Sequence, residues 1–224
     1  MKGLFLKDLY GLMGLYKKNL ILIALVYGLM GIAGNLPFFF YMSVWLMGSY
    51  ILSAITLDQQ CGWDRYARTL PVSAGQIVGA KFLVGLAFVA MALAYALAGA
   101  GLRALLLGWD EAWTGYFEAL TMITGLSLAG TGLTIPASYK WGTDKARNTM
   151  LVFYALLFAA IFLVLPEDGA LAGVFPGLRE SLAGLKNITI AQVRMAAAVV
   201  LGAGAALYAL GWAMARQIYA RMEF

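Results

Sequence analysis

The sequence predicts an all-α membrane protein whose chain crosses the lipid bilayer several times. Of its 224 residues, 62% are hydrophobic and only 12% are charged, whereas soluble domains carry about 25% charged residues. The mean hydropathy of +0.81 implies more apolar surface than a chain of this size can bury within itself. Long runs without charged residues alternate with short charged segments, as expected for a polytopic bundle of helices.

Several classes of chemistry are excluded by composition. The chain contains no histidine and a single cysteine, Cys61, so it holds no Ser-His-Asp or Cys-His catalytic group, no histidine-containing zinc site and no internal disulfide. We therefore assign it no catalytic residue, no metal ligand and no cofactor of its own. The net charge of +5 is interpreted as a determinant of membrane topology, and no nucleic-acid partner is expected.

Charge-free runs locate six membrane spans. The first run, residues 19–57, contains 39 residues and would extend about 58 Å as one helix, twice the thickness of the hydrocarbon core. The chain must therefore reverse within it, and Gly34-Asn35-Leu36-Pro37 has the residues that a tight turn needs. Within a transmembrane domain of residues 19–224, the predicted spans are residues 19–34, 37–57, 77–102, 117–139, 148–165 and 193–215.

Basic residues predict the orientation of these spans. The four on the side opposite the termini are Arg103, Arg179, Lys186 and Arg194, and the other twelve of the 16 Lys and Arg residues share a side with both termini. Because Lys and Arg accumulate on the cytoplasmic side, we expect both termini in the cytoplasm.

The first 18 residues form a segment of their own in this interpretation. Apolar residues recur at helical spacing, and they are Leu4, Phe5, Leu9, Leu12, Met13 and Tyr16. Residues 1–18 are therefore predicted to form an amphipathic helix that contacts lipid at the inner leaflet. The alternative is a disordered basic tail.

The loop between spans two and three, residues 58–76, is unusually rich in aromatic and charged residues. Asp64 and Arg68 have the i,i+4 spacing of a helical ion pair, and Pro71 ends such a helix. Ser73 and Gln76 fit the capping box that starts another helix. We predict a short surface helix with Trp63, Tyr66 and Leu70 on one side. Composition alone leaves two roles open: docking of a protein partner, or burial of the aromatic rings among lipid headgroups.

Three segments together resemble a known family: the opening Met1-Lys2-Gly3-Leu4-Phe5-Leu6-Lys7-Asp8-Leu9, the stretch Trp63-Asp64-Arg65-Tyr66-Ala67-Arg68-Thr69-Leu70-Pro71-Val72-Ser73, and Lys81-Phe82-Leu83. They are similar to the permease subunits of type 2 ABC exporters, especially small six-span permeases that work with a separate ATPase subunit. The resemblance implies an elbow helix over residues 1–18, a coupling helix within residues 58–76 and a re-entrant segment over residues 166–190.

The resemblance also implies partners and contact residues. The ATPase subunit would bind ATP and Mg²⁺, and a second copy of the permease or a related permease would complete the transporter. The residues expected to dock the ATPase are Trp63, Asp64, Arg65, Tyr66, Arg68, Leu70 and Pro71. Lys145 and Arg147 in the second inner loop are a lesser candidate contact, and the alternative is that their charge only sets topology.

Hydroxyl side chains form stripes on two predicted spans. Those on span four are Thr124, Ser127, Thr131, Thr134 and Ser138, and those on span two are Ser49, Ser53 and Thr56. They could line a polar substrate pathway. They could instead bond their own backbone and allow close helix packing, and this second interpretation is favoured.

The energy for transport is expected to come from outside the chain. No ionisable residue lies deep in a predicted span, which argues against a proton- or sodium-coupled pump, and Gly75 to Lys81 does not have the spacing of a P-loop. Together with these observations, the resemblance implies an exporter permease in the inner (plasma) membrane of a bacterium, moving an amphipathic peptide, an antimicrobial compound or another membrane-active substrate. The alternative is a membrane scaffold or sensor that recruits a partner through residues 58–73 without transport.

Overall fold

The computed structural model describes residues 2–67, 69–148, 151–152, 155 and 189–222, and these ranges contain helices and turns but no strand. The helices are α1 (Lys2–Ile32), α2 (Phe38–Gln60), α3 (Trp63–Ala67), α4 (Ala74–Leu107), α5 (Tyr116–Trp141) and α6 (Ile190–Arg221). A 3₁₀ turn, Glu111–Trp113, precedes α5, and residues 143–148 are helical after it.

Five helices in the described ranges are long and apolar enough to cross a membrane. They are α1, α2, α4, α5 with its preceding 3₁₀ turn, and α6, which correspond to predicted spans one, two, three, four and six. Most of predicted span five, residues 148–165, lies outside the described residues, as does nearly all of the segment 166–190. The prediction of an all-helical, multi-pass membrane fold is confirmed.

Helix α1 differs from the prediction at its start. It runs without interruption through 31 residues, about 46 Å at 1.5 Å per residue, so the predicted boundary between an elbow helix and a first span at residue 18 is not seen. The physical reason is local: no proline interrupts the segment, and Gly11 and Gly14 keep the helical conformation. Periodicity detected a helix here but could not detect that it continues into the span.

The turn between α1 and α2 forms where the sequence predicted it. Asn35 adopts a positive φ of 55°, which asparagine tolerates better than most residues. Pro37 occupies the N-cap of α2 with a φ of −57°, where its missing N–H costs no helical hydrogen bond.

The bundle is built around α2 and around the α5–α6 pair. Helix α2 contacts α1, α4 and α5, and α5 packs along α6. A Cβ atom built on Gly204 would clash with the backbone of Gly125, and one built on Gly211 would clash with the backbone of Gly132. Glycines on both helices therefore allow their backbones to approach closely, as at small-residue interfaces in membranes.

All long helices present a polar end to the same end of the bundle. Five parts of the chain meet there: the start of α1, the end of α2, helix α3, the start of α4 and the end of α6. Examples of their contacts are Lys7 with Asp58 and Tyr219 with Asp64. The two ends of the described chain thus lie on one side, together with α3. We call this side the α3 end.

Candidate functional site

Helix α3 exists because local signals break the chain on both sides of it. Gly62 has a positive φ of 66° and separates it from α2. After α3, the main-chain N–H of Ser73 donates to Oε1 of Gln76 at 3.0 Å, and the N–H of Gln76 donates to the Ser73 hydroxyl at 3.3 Å. The predicted capping box is therefore present, and α4 starts anew beyond Pro71.

The exposed face of α3 is narrower than the sequence suggested. Arg65 and Tyr66 are exposed, and Tyr66 retains 57% of its accessible surface. Trp63 is half-buried and packs on Tyr66 with ring centroids 5.4 Å apart. Leu70 is also half-buried, and Pro71 is exposed. Trp63, Tyr66 and Leu70 therefore do not form one outward-facing apolar stripe.

Asp64 points into the protein. Its Oδ1 accepts a hydrogen bond from the Tyr219 hydroxyl at 3.0 Å, and the residue is 7% exposed. Burial raises the pKa of the Asp64 carboxyl above its ordinary value. Its predicted ion-pair partner, Arg68, lies outside the described residues. Asp64 therefore ties α3 to α6 instead of contributing to the exposed face.

A group of four charges lies beside α3, and we call it the ion cluster: Lys7, Asp8, Asp58 and Lys81. Asp8, Asp58 and Lys81 are buried, and Lys7 is half-buried. Nζ of Lys81 lies 2.8 Å from Oδ1 of Asp8 and 2.5 Å from Oδ2 of Asp58. Nζ of Lys7 lies 2.7 Å from Oδ1 of Asp58 and 3.1 Å from Oδ1 of Asp8. Two positive and two negative charges thus compensate one another, as buried charges require.

The ion cluster was not predicted from the sequence. Lys81 lies two turns into α4 and is only 2% exposed. The sequence signal that could have revealed it was a lysine inside predicted span three, because such a lysine needs a partner. Its partners could not be read from the sequence, since they lie 73 and 23 residues away.

The ion cluster contacts α3 directly. Nζ of Lys7 lies 3.9 Å from the centre of the Trp63 ring, within cation–π range. Neighbouring residues of α3 thus have different attachments: Trp63 contacts the ion cluster, and Asp64 contacts α6.

The helical residues 143–148, which follow α5, also lie at the α3 end. Lys145 and Arg147 are exposed on the helical residues 143–148. The Thr143 hydroxyl donates to Oε1 of Gln59 at 3.3 Å, which joins this segment to the end of α2. Both basic residues are therefore accessible beside α3.

The hydroxyls of α5 are occupied by backbone carbonyls. Thr124 and Ser138 donate to Leu120 and Ile135 of their own helix, each at 2.7 Å. Ser127 reaches the carbonyl of Val44 on α2 at 3.3 Å. All five hydroxyl residues of the stripe are buried, as the packing interpretation expects.

A cavity of about 270 Å³ nevertheless opens between α2 and α5. It brings together five of the eight residues of the two hydroxyl stripes: Ser49, Ser53, Ser127, Thr131 and Thr134. Thr56, Thr124 and Ser138 do not line it, and each bonds its own helix. Trp45, Arg147 and Leu151 complete much of the lining and were not predicted.

The described residues contain no group of three Cys, Asp or Glu side chains close enough together to hold a metal ion. The α3 end instead combines an exposed helix face, internal anchors and a nearby cavity. This arrangement can transmit position and bind a partner, and it needs no bond-making chemistry within the chain.

Five apolar helices of spanning length, with the short helix α3 between the second and the third, define a multi-pass membrane protein of the helical class. The family model described as "ABC-2 family transporter protein" matches residues 3–220, nearly the whole chain. The chain therefore belongs to the ABC-2 transporter family and is an ABC-2 type permease, a membrane transport component that is not itself catalytic. Permeases of this family typically work with an ATPase partner. No curated protein and no solved structure matches the chain.

Proposed function

We propose that this permease is the membrane-spanning subunit of an ATP-driven exporter and that α3 docks a separate ATPase subunit, which binds ATP and Mg²⁺. The observation that carries the proposal is the division of α3 into two faces. Arg65 and Tyr66 are exposed, while Asp64 and Ala67 are buried against the bundle. An aromatic ring beside an arginine is typical of the residues that dominate protein interfaces.

The α3 end is proposed to face the cytoplasm. Lys7 and Lys81 belong to this end, as do Arg65, Lys145 and Arg147. Basic residues accumulate on the cytoplasmic side of bacterial inner membranes, and an ATPase must meet its nucleotide there. Both termini would then be cytoplasmic, as the sequence predicts.

Transport is proposed to follow from movement of α3. Two permease copies, or one copy and a related permease, form the pathway, and two ATPase subunits bind their α3 helices. ATP favours the conformation in which the ATPase subunits are closed, and this differential binding shifts the permease between its two states. The permease supplies the pathway and the mechanical connection.

The cavity between α2 and α5 supports an amphipathic, membrane-active substrate such as a peptide or an antimicrobial compound. Its walls combine the apolar side chains of Trp45 and Leu151 with the hydroxyls of Ser49 and Ser53, and Arg147 lies at its edge. Ligand sites commonly pair apolar walls with a few polar groups that orient the ligand.

The docking proposal is tested by changing only the exposed face of α3. In the double variant Arg65→Glu/Tyr66→Ala, the positive charge at position 65 becomes negative and the aromatic ring at position 66 is removed. An unpaired buried charge costs about 3–5 kcal/mol, so we expect at least a 100-fold weaker association by the relation of about 1.4 kcal/mol per tenfold. The tagged permease is purified in mild detergent from its native host, and ATP hydrolysis is measured in the eluate.

The matched control is Tyr10→Ala/Lys17→Glu, because both residues are exposed on α1 away from α3. We expect the control to retain a co-purifying ATPase subunit and the α3 variant to lose it. Equal retention by both variants would contradict docking through α3. Retention of a partner without ATP-dependent export would favour the scaffold or sensor instead.

A further inference from the structure

Helix α3 cannot hold its own orientation. It has only five residues, far fewer than the dozen or more that an isolated helix needs in water. Glycine with a positive φ precedes it, and a turn and bend over residues 69–71 follow it. Its direction relative to the membrane helices must therefore come from side-chain contacts.

Two independent sets of contacts supply that direction. On one side, Lys7 of the ion cluster lies against the ring of Trp63. On the other, the Tyr219 hydroxyl donates to Asp64. The two attachments involve consecutive residues of α3 but different membrane helices, so together they restrict both the position and the rotation of α3.

We propose that Lys81 and Tyr219 are positioning residues that fix α3 to the membrane helices, so that a displacement of α3 moves the inner ends of α1, α2, α4 and α6 together. This proposal deepens the proposed function, because it takes α3 as the docking helix. Its structural part, the attachment of α3, can be tested on the permease alone.

Lys81 affects the orientation of α3 indirectly, through Lys7. The ammonium group of Lys81 binds Asp8 and Asp58 at 2.8 and 2.5 Å. Lys7 therefore shares these carboxylates with Lys81 and also contacts the ring of Trp63. Without Lys81, two carboxylates would compete for Lys7 alone. Because Coulomb interactions are strong in a buried site, the excess negative charge would rearrange the ion cluster and change the position of Lys7 relative to the Trp63 ring.

Tyr219 affects the orientation of α3 directly, through its hydrogen bond to Asp64. It is fully buried, and its ring packs edge-on against Tyr139 at 5.2 Å between centroids. The ring position is therefore set by α5 and α6, and the hydroxyl transfers that position to Asp64. Tyr219→Phe removes the connecting hydroxyl and retains the ring.

The chain carries a natural reporter for the test. Cys61 is the only cysteine in the sequence, is exposed and lies two residues before α3. A second label is placed at Leu97→Cys, which is exposed on α4. The distance between nitroxide labels on these two positions is measured by pulsed electron paramagnetic resonance in lipid nanodiscs. Dilution with unlabelled protein restricts the signal to pairs within one chain.

The matched control is Tyr208→Phe. The Tyr208 hydroxyl also lies on α6 and also bonds a distant group, the carbonyl of Phe82 on α4, but it does not contact α3. Both variants lose one hydroxyl hydrogen bond, so both should lower the unfolding temperature similarly. If Tyr219 only stabilised the fold, Tyr219→Phe and Tyr208→Phe would change the distance between the labels equally.

We expect a narrow distance distribution in the parent protein and in Tyr208→Phe, and a distribution wider by about half or more in Tyr219→Phe. Lys81→Met should widen it as well. If Lys81→Met does not fold, Lys81→Met/Asp8→Asn restores neutrality and keeps the Lys7–Asp58 pair, so it should give a narrow distribution. An unchanged width in Tyr219→Phe, or equal widening in Tyr208→Phe, would overturn the proposal.

Failure here is distinguishable from failure of the proposed function. The label distances are measured without any ATPase, whereas docking is measured by ATPase capture. Unchanged distances with intact ATPase capture would reject the positioning residues alone. Lost ATPase capture in Arg65→Glu/Tyr66→Ala with narrow label distances would support docking through an anchored α3.

Discussion

Asp64 illustrates how a single residue changes role between sequence and structure. Its spacing to Arg68 predicts an exposed ion pair, but the carboxylate is buried and accepts a hydrogen bond from Tyr219. Burial disfavours the ionised form and raises its pKa, with the charge of Asp58 acting in the same direction. The other groups that act on this carboxyl are Tyr219, Lys81 and Lys7, and all three lower its pKa.

The raised pKa predicts a pH-dependent effect of Asp64→Asn. Because the folded-state pKa lies above the unfolded value, the stability that this group contributes is fully present below the unfolded pKa and is lost as pH rises through the folded pKa. Asparagine does not ionise, and its amide oxygen can still accept from Tyr219. We therefore expect Asp64→Asn to match the parent protein near pH 4 and to exceed its unfolding temperature near pH 7.

Unfolding temperatures in detergent across this pH range provide the measurement. Gln60→Ala, at an exposed position at the end of α2, changes no ionisable group and is the control, so its difference from the parent should be the same at every pH. A constant difference between Asp64→Asn and the parent at every pH would contradict the raised pKa.

At the scale of elements, the pair α5–α6 depends on backbone proximity. Gly211 approaches Gly132 so closely that a Cβ added to Gly211 would overlap the carbonyl oxygen of Gly132. Rotation of a side chain could not relieve this overlap, because the neighbouring atoms belong to the backbone. The helices would have to separate.

Gly211→Ala should therefore destabilise the fold by about 1–3 kcal/mol, the usual cost of overpacking. Gly202→Ala lies on the same helix with open space around its Cβ and should be neutral or more stable by about 1 kcal/mol, because alanine favours helices. Thermal unfolding of the two variants measures the difference. Similar unfolding temperatures would show that α5 and α6 do not pack through these glycines.

Polar side chains also join elements at the end opposite α3. Nη2 of Arg103 lies 2.9 Å from Oδ2 of Asp110, and Asn35 donates to the same oxygen at 2.8 Å. Nε1 of Trp113 donates to Oδ1 of Asn35 at 2.8 Å. The α1–α2 turn is thus tied to the α4–α5 connection, so both ends of the bundle have polar connections between helices.

At the scale of the whole molecule, the natural cysteine also reports the topology. Cys61 lies at the α3 end and is exposed. If this end is cytoplasmic, a membrane-impermeant maleimide should label inverted vesicles and leave intact cells unlabelled. Labelling is read by gel shift of the tagged chain.

The control for topology is Cys61→Ser/Leu36→Cys. Leu36 is exposed in the turn between α1 and α2, at the opposite end of the bundle. This variant should label in intact cells and remain unlabelled in inverted vesicles. The reverse pattern in both proteins would place α3 outside the cell and refute the proposed orientation.

The membrane class, the positions of α2 to α6, the turn at Asn35 and the capping box at Ser73 could all be predicted from the sequence. These features depend on hydropathy, on local backbone preferences and on hydrogen bonds between residues a few positions apart. They can be read from neighbouring residues because the forces that produce them act between neighbouring residues.

Which face of α3 is exposed, and what anchors its other face, depend on the packing of the helices. Tyr219 lies 155 residues from Asp64, and Asp8 lies 73 residues from Lys81. Pairings over such separations depend on which helices pack together, and periodicity within one helix does not specify its neighbours. Because an unpaired buried charge is costly, each charge pairs with whichever residue the helix packing brings near it. Local sequence patterns do not identify that residue.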